Sequence, residues 1–147
     1  MFQQDFIMKQ IQMFTQVLQQ VLFNKQAGNQ QEALQLVKET LNELTEDHPE
    51  SFHDLSLKET LKLFRNEGKF NSELALVVAE LLIEEGELLA ENEAEKRYLQ
   101  ALLLYQKALD DPDIAVPLQS AQIIGQLKEK LNGSPGLDEI SDLMIYE

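Results

Sequence analysis

Hydrophobic positions recur along most of this chain at steps of three and four, the spacing that gathers side chains onto one face of a helix. The clearest stretch covers residues 72–110. Leu74, Val77, Val78, Leu81, Leu82, Leu88 and Leu89 line up in its first half, and Tyr98, Ala101, Leu102, Tyr105, Ala108 and Leu109 in its second, with the polar pair Asn92-Glu93 as the connector. Two amphipathic helices on so short a link fold back antiparallel, and the outer edges of both stripes then need cover from the flanking segments.

Those flanks carry the same period. Residues 2–26 predict a long helix with Phe2, Phe6, Ile7, Ile11, Phe14, Val17, Leu18, Val21 and Leu22 on a broad stripe. Its inner line, at 7, 11, 14, 18 and 21, steps by four and three like the seam of a bundle. Gln3, Gln10, Gln12, Gln16, Gln19 and Gln20 fill the opposite face, where lysine and glutamate are usual. An amide costs less to desolvate than a charge and can bond a neighbour, so this face suits a subunit contact; the plain alternative is a solvated face. Gly28, with Lys25 in the last turn, ends the helix, and a second one over 29–44 turns Ala33, Leu34, Val37, Leu41 and Leu44 inward. Residues 45–55, with Pro49 and both histidines, read as a loop.

Ser56 and Glu59 form a capping box before a short helix with Leu57, Leu61 and Phe64 inward and Gly68 behind it; Asn71 or Ser72 caps the next. Pro112 and Pro117 interrupt the chain, and a last long helix is expected from Pro117 to Asn132-Gly133, faced by Leu118, Ala121, Ile124, Leu127 or Lys128, and Leu131. Gly86 and Gly125 stand inside helices, where each costs about 1 kcal/mol against alanine, and so predict close helix approach. The expected organisation is an all-α domain of about six helices over 1–132, then a flexible link and a short apolar tail over 133–147 that docks on its own bundle or on a neighbour.

Composition narrows what such a domain does. The 147 residues are enough to bury a core unaided, and the absence of cysteine excludes disulfides, thiolate metal sites and cysteine nucleophiles. Net charge is −14, placed unevenly: +1 over 1–26, −6 over 27–55, +2 over 56–71, −7 over 72–111 and −4 over 112–147. Such a surface repels phosphate backbones and anionic lipid, so neither nucleic acid nor membrane is an expected partner. The opening residues lack a basic leader before an apolar run, and no stretch approaches the roughly 20 apolar residues of a membrane span. A cytoplasmic protein is the expectation.

Candidate chemistry is sparse. Glu80, Glu84, Glu87 and Glu91 share a helix face, as carboxylate-bridged metal sites require, but no Glu-x-x-His pair accompanies them, and a solvated face accounts for them. His48 and His53, among Asp47, Glu50 and Asp54, sit in a loop without a fixed outer shell. Tyr98, Tyr105 and the phenylalanines fall at core spacing rather than around a groove. No nucleophile elbow, phosphate-cradling loop or dinucleotide fingerprint occurs, so no catalytic, cofactor or metal residues are assigned.

The run Ala101-Leu-Leu-Leu-Tyr105-Gln-Lys-Ala108-Leu109, with Pro112 soon after, resembles the second helix of a tetratricopeptide repeat, in which small residues let paired helices approach closely. Gly28-Asn29-Gln30-Gln31-Glu32-Ala33 is similar to that repeat's turn glycine and first small residue, and Ala33 and Ala101 lie 68 residues apart, two repeat periods. The opening Gln4-Asp5-Phe6-Ile7-Met8-Lys9-Gln10-Ile11 resembles an uncharacterised bacterial family of helical proteins. These likenesses imply antiparallel hairpins stacked in a tetratricopeptide-like right-handed array or a compact bundle, a fold that commonly binds proteins or peptides. The expected function is a non-catalytic scaffold acting through protein contacts, with an unidentified protein partner or with itself as a homodimer. Its expected interface is Phe2, Phe6, Ile7, Ile11 and Phe14 on the first helix and Leu137, Ile140, Leu143 and Met144 in the tail. The alternative is a helical bundle binding a small apolar ligand or a metal ion.

Overall fold

A computed structural model describes residues 2–146, with side chains from residue 5 onward. The chain is all-α apart from one tiny ribbon: α1 (Phe2–Gln26), α2 (Gln30–Glu43), a 3-10 turn (Phe52–Asp54), α3 (Leu57–Leu63), β1 (Arg65–Asn66), β2 (Lys69–Phe70), α4 (Ser72–Leu88), α5 (Glu91–Leu109), α6 (Ser120–Lys130) and α7 (Gly136–Tyr146). The α4–α5 hairpin is the centre. On one side α4 packs against α1 and α2; on the other α5 packs against α3, α6 and α7. Residues 98–105 of α5 are buried without interruption, Gln100 among them, as expected of a helix covered on all sides. None of the described helices is long and apolar enough to cross a membrane.

The hairpin breaks at Leu89-Ala90 rather than at Asn92-Glu93. Leu88 and Leu89 stay packed against the core, while the Ala90 carbonyl already accepts from the amides of Glu93 (3.0 Å) and Ala94 (2.8 Å). Glu91 and Glu93 thus occupy the first turn of α5, where the helix dipole favours anions. The two helices meet at Gly86, where an added Cβ would lie 2.5 Å from Cε1 of Tyr98. Gly125, the other mid-helix glycine, faces open space instead.

Local signals place most other boundaries. The Ser56–Glu59 capping box forms in full, and Asn71 caps α4 through the Leu74 amide. Ser72 donates to Asp111 (2.9 Å), whose other oxygen accepts from the Asp113 amide (2.9 Å), tying the start of α4 to the end of α5. Residues 45–55 are less of a surface loop than their composition suggests, since Phe52 and Leu55 are fully buried. The buried Gln100 amide donates to the Phe52 carbonyl (3.1 Å) and the Thr60 hydroxyl (3.0 Å), pinning the 3-10 turn and α3 to α5.

Two late segments differ from expectation. The α6 helix begins at Ser120, not Pro117, because the Ser120 amide (3.1 Å) and hydroxyl (2.7 Å) both bond the Pro117 carbonyl and hold 117–120 as a turn. Leu118 and Ala121 consequently face solvent, and Ile123, Ile124, Leu127 and Leu131 form the inward face. Beyond it, the stretch expected as link and tail is helix from Gly136 onward. Ser134 donates to Glu95 (3.1 Å) and accepts from the Gly136 amide (3.3 Å), and an added Cβ on Gly136 would lie 2.6 Å from Leu99, so α7 sits directly on α5.

Candidate interaction surface

The longest helix is held along only part of its length. Phe14 and Val21 of α1 are fully buried, with Ile11, Val17 and Leu18 packed beside them. At its far end Lys25 pairs with Glu84 (2.8 Å) and Glu87 of α4. Burial alone would depress the Lys25 ammonium, but the two carboxylates outweigh it and hold its pKa above the usual lysine value. The anchor also fixes direction: α1 and α4 end side by side and run parallel. At 1.5 Å per residue the 25 residues of α1 span about 37 Å, against about 25 Å for the 17 of α4 and about 21 Å for the 14 of α2. The first turns of α1 therefore reach past both neighbours.

The outer face of α1 carries a second seam. Phe6 (67% exposed), Lys9, Met13 (40%), Gln16, Gln20 and Phe23 (69%) follow one another at steps of three, four, three, four and three, and all are solvent-exposed. This is the coiled-coil spacing repeated on the side away from the core. Gln16, Gln19, Gln20, Phe23 and Asn24 line a shallow depression of about 370 Å³ there. Met8 and Leu22 add exposed apolar surface on the flank.

The residues expected at an interface divide between surface and core. Phe6 is open; Ile7 and Ile11 are half-buried; Phe14 is fully enclosed and has no surface to offer. Ile140 and Leu143 are buried under α7, with Leu137 and Met144 packed against the same core, so the tail docks within its own chain. The side chain of Phe2 lies outside the described residues. Sequence reasoning missed Met13 and Phe23, although the alternating three-four step through Phe6, Met13 and Phe23 was present to be read.

The acidic face of α4 is not uniformly solvated. Glu84 and Glu87 hold Lys25, and Glu80 is half-buried, its carboxyl pushed above the ordinary range by burial and then by the charge of Glu84. The Tyr105 hydroxyl is buried with no hydrogen-bond partner that meets the distance and angle of a bond. Burial raises that phenol's pKa; the neighbouring Ser120 hydroxyl, which donates to the Pro117 carbonyl, pulls the other way, and the Glu80 charge adds to the rise. A groove of about 270 Å³ runs between α4 and α6, lined by Glu80, Ile83, Ile123, Leu127 and Lys130 among others. A larger cleft of about 570 Å³ lies at the α4–α5 turn, where Lys130 Nζ stands 5.0 Å above the Tyr98 ring.

His53 belongs to a structural cluster rather than to a free loop. Its Nε2 is 3.0 Å from Oε1 of Glu85, a carboxylate only 5% exposed, and Arg97 Nε approaches the same oxygen to 3.2 Å as a charge, without hydrogen-bond alignment. His48 lies 3.8 Å from Glu59 and accepts from the Glu50 amide. Among the described residues no group of three or more His, Asp and Glu side chains is arranged to hold a metal ion. Comparison with known family models, with curated proteins and with solved structures finds no match to this chain.

Proposed function

We propose that this protein is a non-catalytic, tetratricopeptide-like helical scaffold of the cytoplasm that works through protein contacts, including contact with a second copy of itself. One observation carries the reading: exposed Phe6, Met13 and Phe23 lie at coiled-coil spacing on a helix whose other face is already in the core. Aromatic and methionine side chains are the types enriched in protein interfaces, and single-file exposure at a seam spacing is unlike scattered surface hydrophobics. Charge favours the same face. Residues 1–26 carry +1 in a chain of −14, so a copy approaching the acidic stretches 27–55, 72–111 or 112–147 meets more like charge. Size-exclusion chromatography of Phe6→Glu tests the assignment against Leu118→Glu, which places the same charge on a different exposed hydrophobic residue. Leu118 is an exposed leucine remote from α1, so Phe6→Glu should shift toward the monomer position and Leu118→Glu should not; identical behaviour of both would remove α1 as the contact surface.

A second reading, a small cationic ligand in the α4–α6 groove, is favoured by the half-buried Glu80 carboxyl standing among the apolar Ile83, Ile123 and Leu127. An alkylammonium ion would set its charge at Glu80 and its stem against Ile83, Ile123 and Leu127. Calorimetric titration with butylammonium chloride, repeated on Glu80→Gln, tests it: heat that is absent, or that survives the substitution, removes the groove as a ligand site.

A further inference from the structure

The outer seam of α1 has the same spacing in both directions and ends in a phenylalanine at each end, and its charges distinguish the two ways in which copies can meet. We propose that the protein forms a two-fold dimer in which the α1 helices pair antiparallel, Phe6 of each copy packing against Phe23 of the other. The inference rests on the self-association proposed above and adds its partner, direction and register.

Taking seam positions from the two ends, 6 pairs with 23, 9 with 20 and 13 with 16, each pair adding to the same number. Antiparallel pairing therefore sets aromatic on aromatic at both ends, methionine on the glutamine stem in the middle, and Lys9 beside Gln20. A two-fold axis between Met13 and Gln16 generates every contact twice, as an isologous interface requires. On one flank of the seam Gln12 of each copy comes level with Gln19 of the other. An amide both donates and accepts, so it complements another amide where lysine or glutamate would meet a like charge. The glutamine-rich face expected to suit a subunit contact has a physical reason in this arrangement.

Parallel pairing uses the same seam and fails on charge. It sets Lys9 against Lys9 and Asp5 against Asp5, the charged residues of this outer face. Antiparallel pairing moves the two Lys9 side chains 11 residues apart along the axis, about 16 Å, beyond the screening length of about 8–10 Å at ordinary ionic strength. The bodies separate too. Because Lys25 is held level with the last turns of α4, the acidic α2 and α4 lie beside the C-terminal half of α1. Antiparallel helices stagger the two acidic bodies, whereas parallel helices bring them level.

The chain contains no cysteine, which makes the register directly readable. Asp5 and Gln26 are exposed, lie on one flank of the seam, and come level across an antiparallel pair, leaving Phe6, Met13 and Phe23 untouched. Two single variants, Asp5→Cys and Gln26→Cys, would be treated with a short thiol-to-thiol cross-linker, separately and mixed, with light scattering on the unlinked proteins. The expected result is dimeric mass, a cross-linked dimer in the mixture, and only traces in either variant alone, since two copies of residue 5 stand about 28 Å apart along the axis. A dimeric mass with Asp5→Cys linking efficiently to itself, or with no linkage in the mixture, overturns the antiparallel register while leaving self-association in place. Monomeric mass overturns both.

Discussion

Gly86 and Gly125 both interrupt a helix, and the structure predicts opposite outcomes when each becomes alanine. At Gly125 the new methyl meets nothing within 4 Å, so the change yields only the helix-propensity gain of about 1 kcal/mol. At Gly86 the same gain is opposed by a Cβ placed 2.5 Å from Cε1 and 2.8 Å from Cζ of Tyr98. These are ring carbons of a side chain only 8% exposed, so either the ring turns out of its packing or α4 and α5 separate. Overpacking of this kind costs about 1–3 kcal/mol. Subtracting the propensity gain leaves Gly86→Ala destabilised by up to about 2 kcal/mol. With an unfolding entropy of about 2.1 cal/mol/K per residue over 147 residues, 1 kcal/mol corresponds to about 3 °C. Thermal unfolding followed by circular dichroism should show Gly125→Ala melting about 3 °C above the parent and Gly86→Ala below it by up to about 6 °C. Gly86→Ala rising with Gly125→Ala would refute the close hairpin contact, and with it the packing of the central pair.

Tyr105→Phe removes a buried hydroxyl without a partner and should stabilise the ligand-free protein by about 1 kcal/mol or more in urea unfolding; a loss of that size would mean the hydroxyl is satisfied. Glu85→Ala strips the carboxylate from beside His53 and Arg97 and should cost about 3 kcal/mol or more, and a change below about 1 kcal/mol would show the cluster to be incidental. Glu80 has a folded-state pKa above its unfolded value, so its contribution is fully present below the unfolded pKa and is lost as pH rises through the folded one. Stability measured across weakly acidic pH should therefore fall less steeply in Glu80→Gln than in the parent, and parallel curves would contradict the burial assigned to this carboxyl. Asp111 has the opposite sign: the Asp113 amide and the Ser72 hydroxyl depress its pKa, so the Ser72 contact should weaken only under more acidic conditions, as pH falls through that lowered value.

Periodicity made the helices legible because burial on one face is what it records. Phe14 and Val21, Ala33, Val37 and Leu41, and the stripes of α4 and α5 all fall where three-four spacing puts them. The Ser56–Glu59 box was legible for a similar reason, since a cap involves residues three apart and no distant partner. Tertiary choices were not. Asn92 is a better helix breaker than Ala90, but Leu88 and Leu89 must stay against the core, so the break falls early. The ribbon around Glu67-Gly68, both at positive φ, read only as a helix stop, because four residues carry no period. Ile140 and Leu143 form a sound apolar face, yet composition cannot say whether such a face meets its own chain; Gly136 against Leu99 decides it. On α1 the apolar stripe marks one seam, and a second runs along the glutamine face. The inner one holds the monomer together, and the outer one became distinct only when Phe6, Met13 and Phe23 were seen to stand outside the core.

Light-scattering mass across a concentration series, at low and at moderate salt, bears most directly on the proposed scaffold. A chain of 16.8 kDa and net charge −14 that associates through its near-neutral first helix should approach twice its mass as concentration rises, and should do so at lower concentration when salt screens the repulsion between acidic bodies. A mass fixed at 16.8 kDa from micromolar to near-millimolar protein at both salt levels would contradict it.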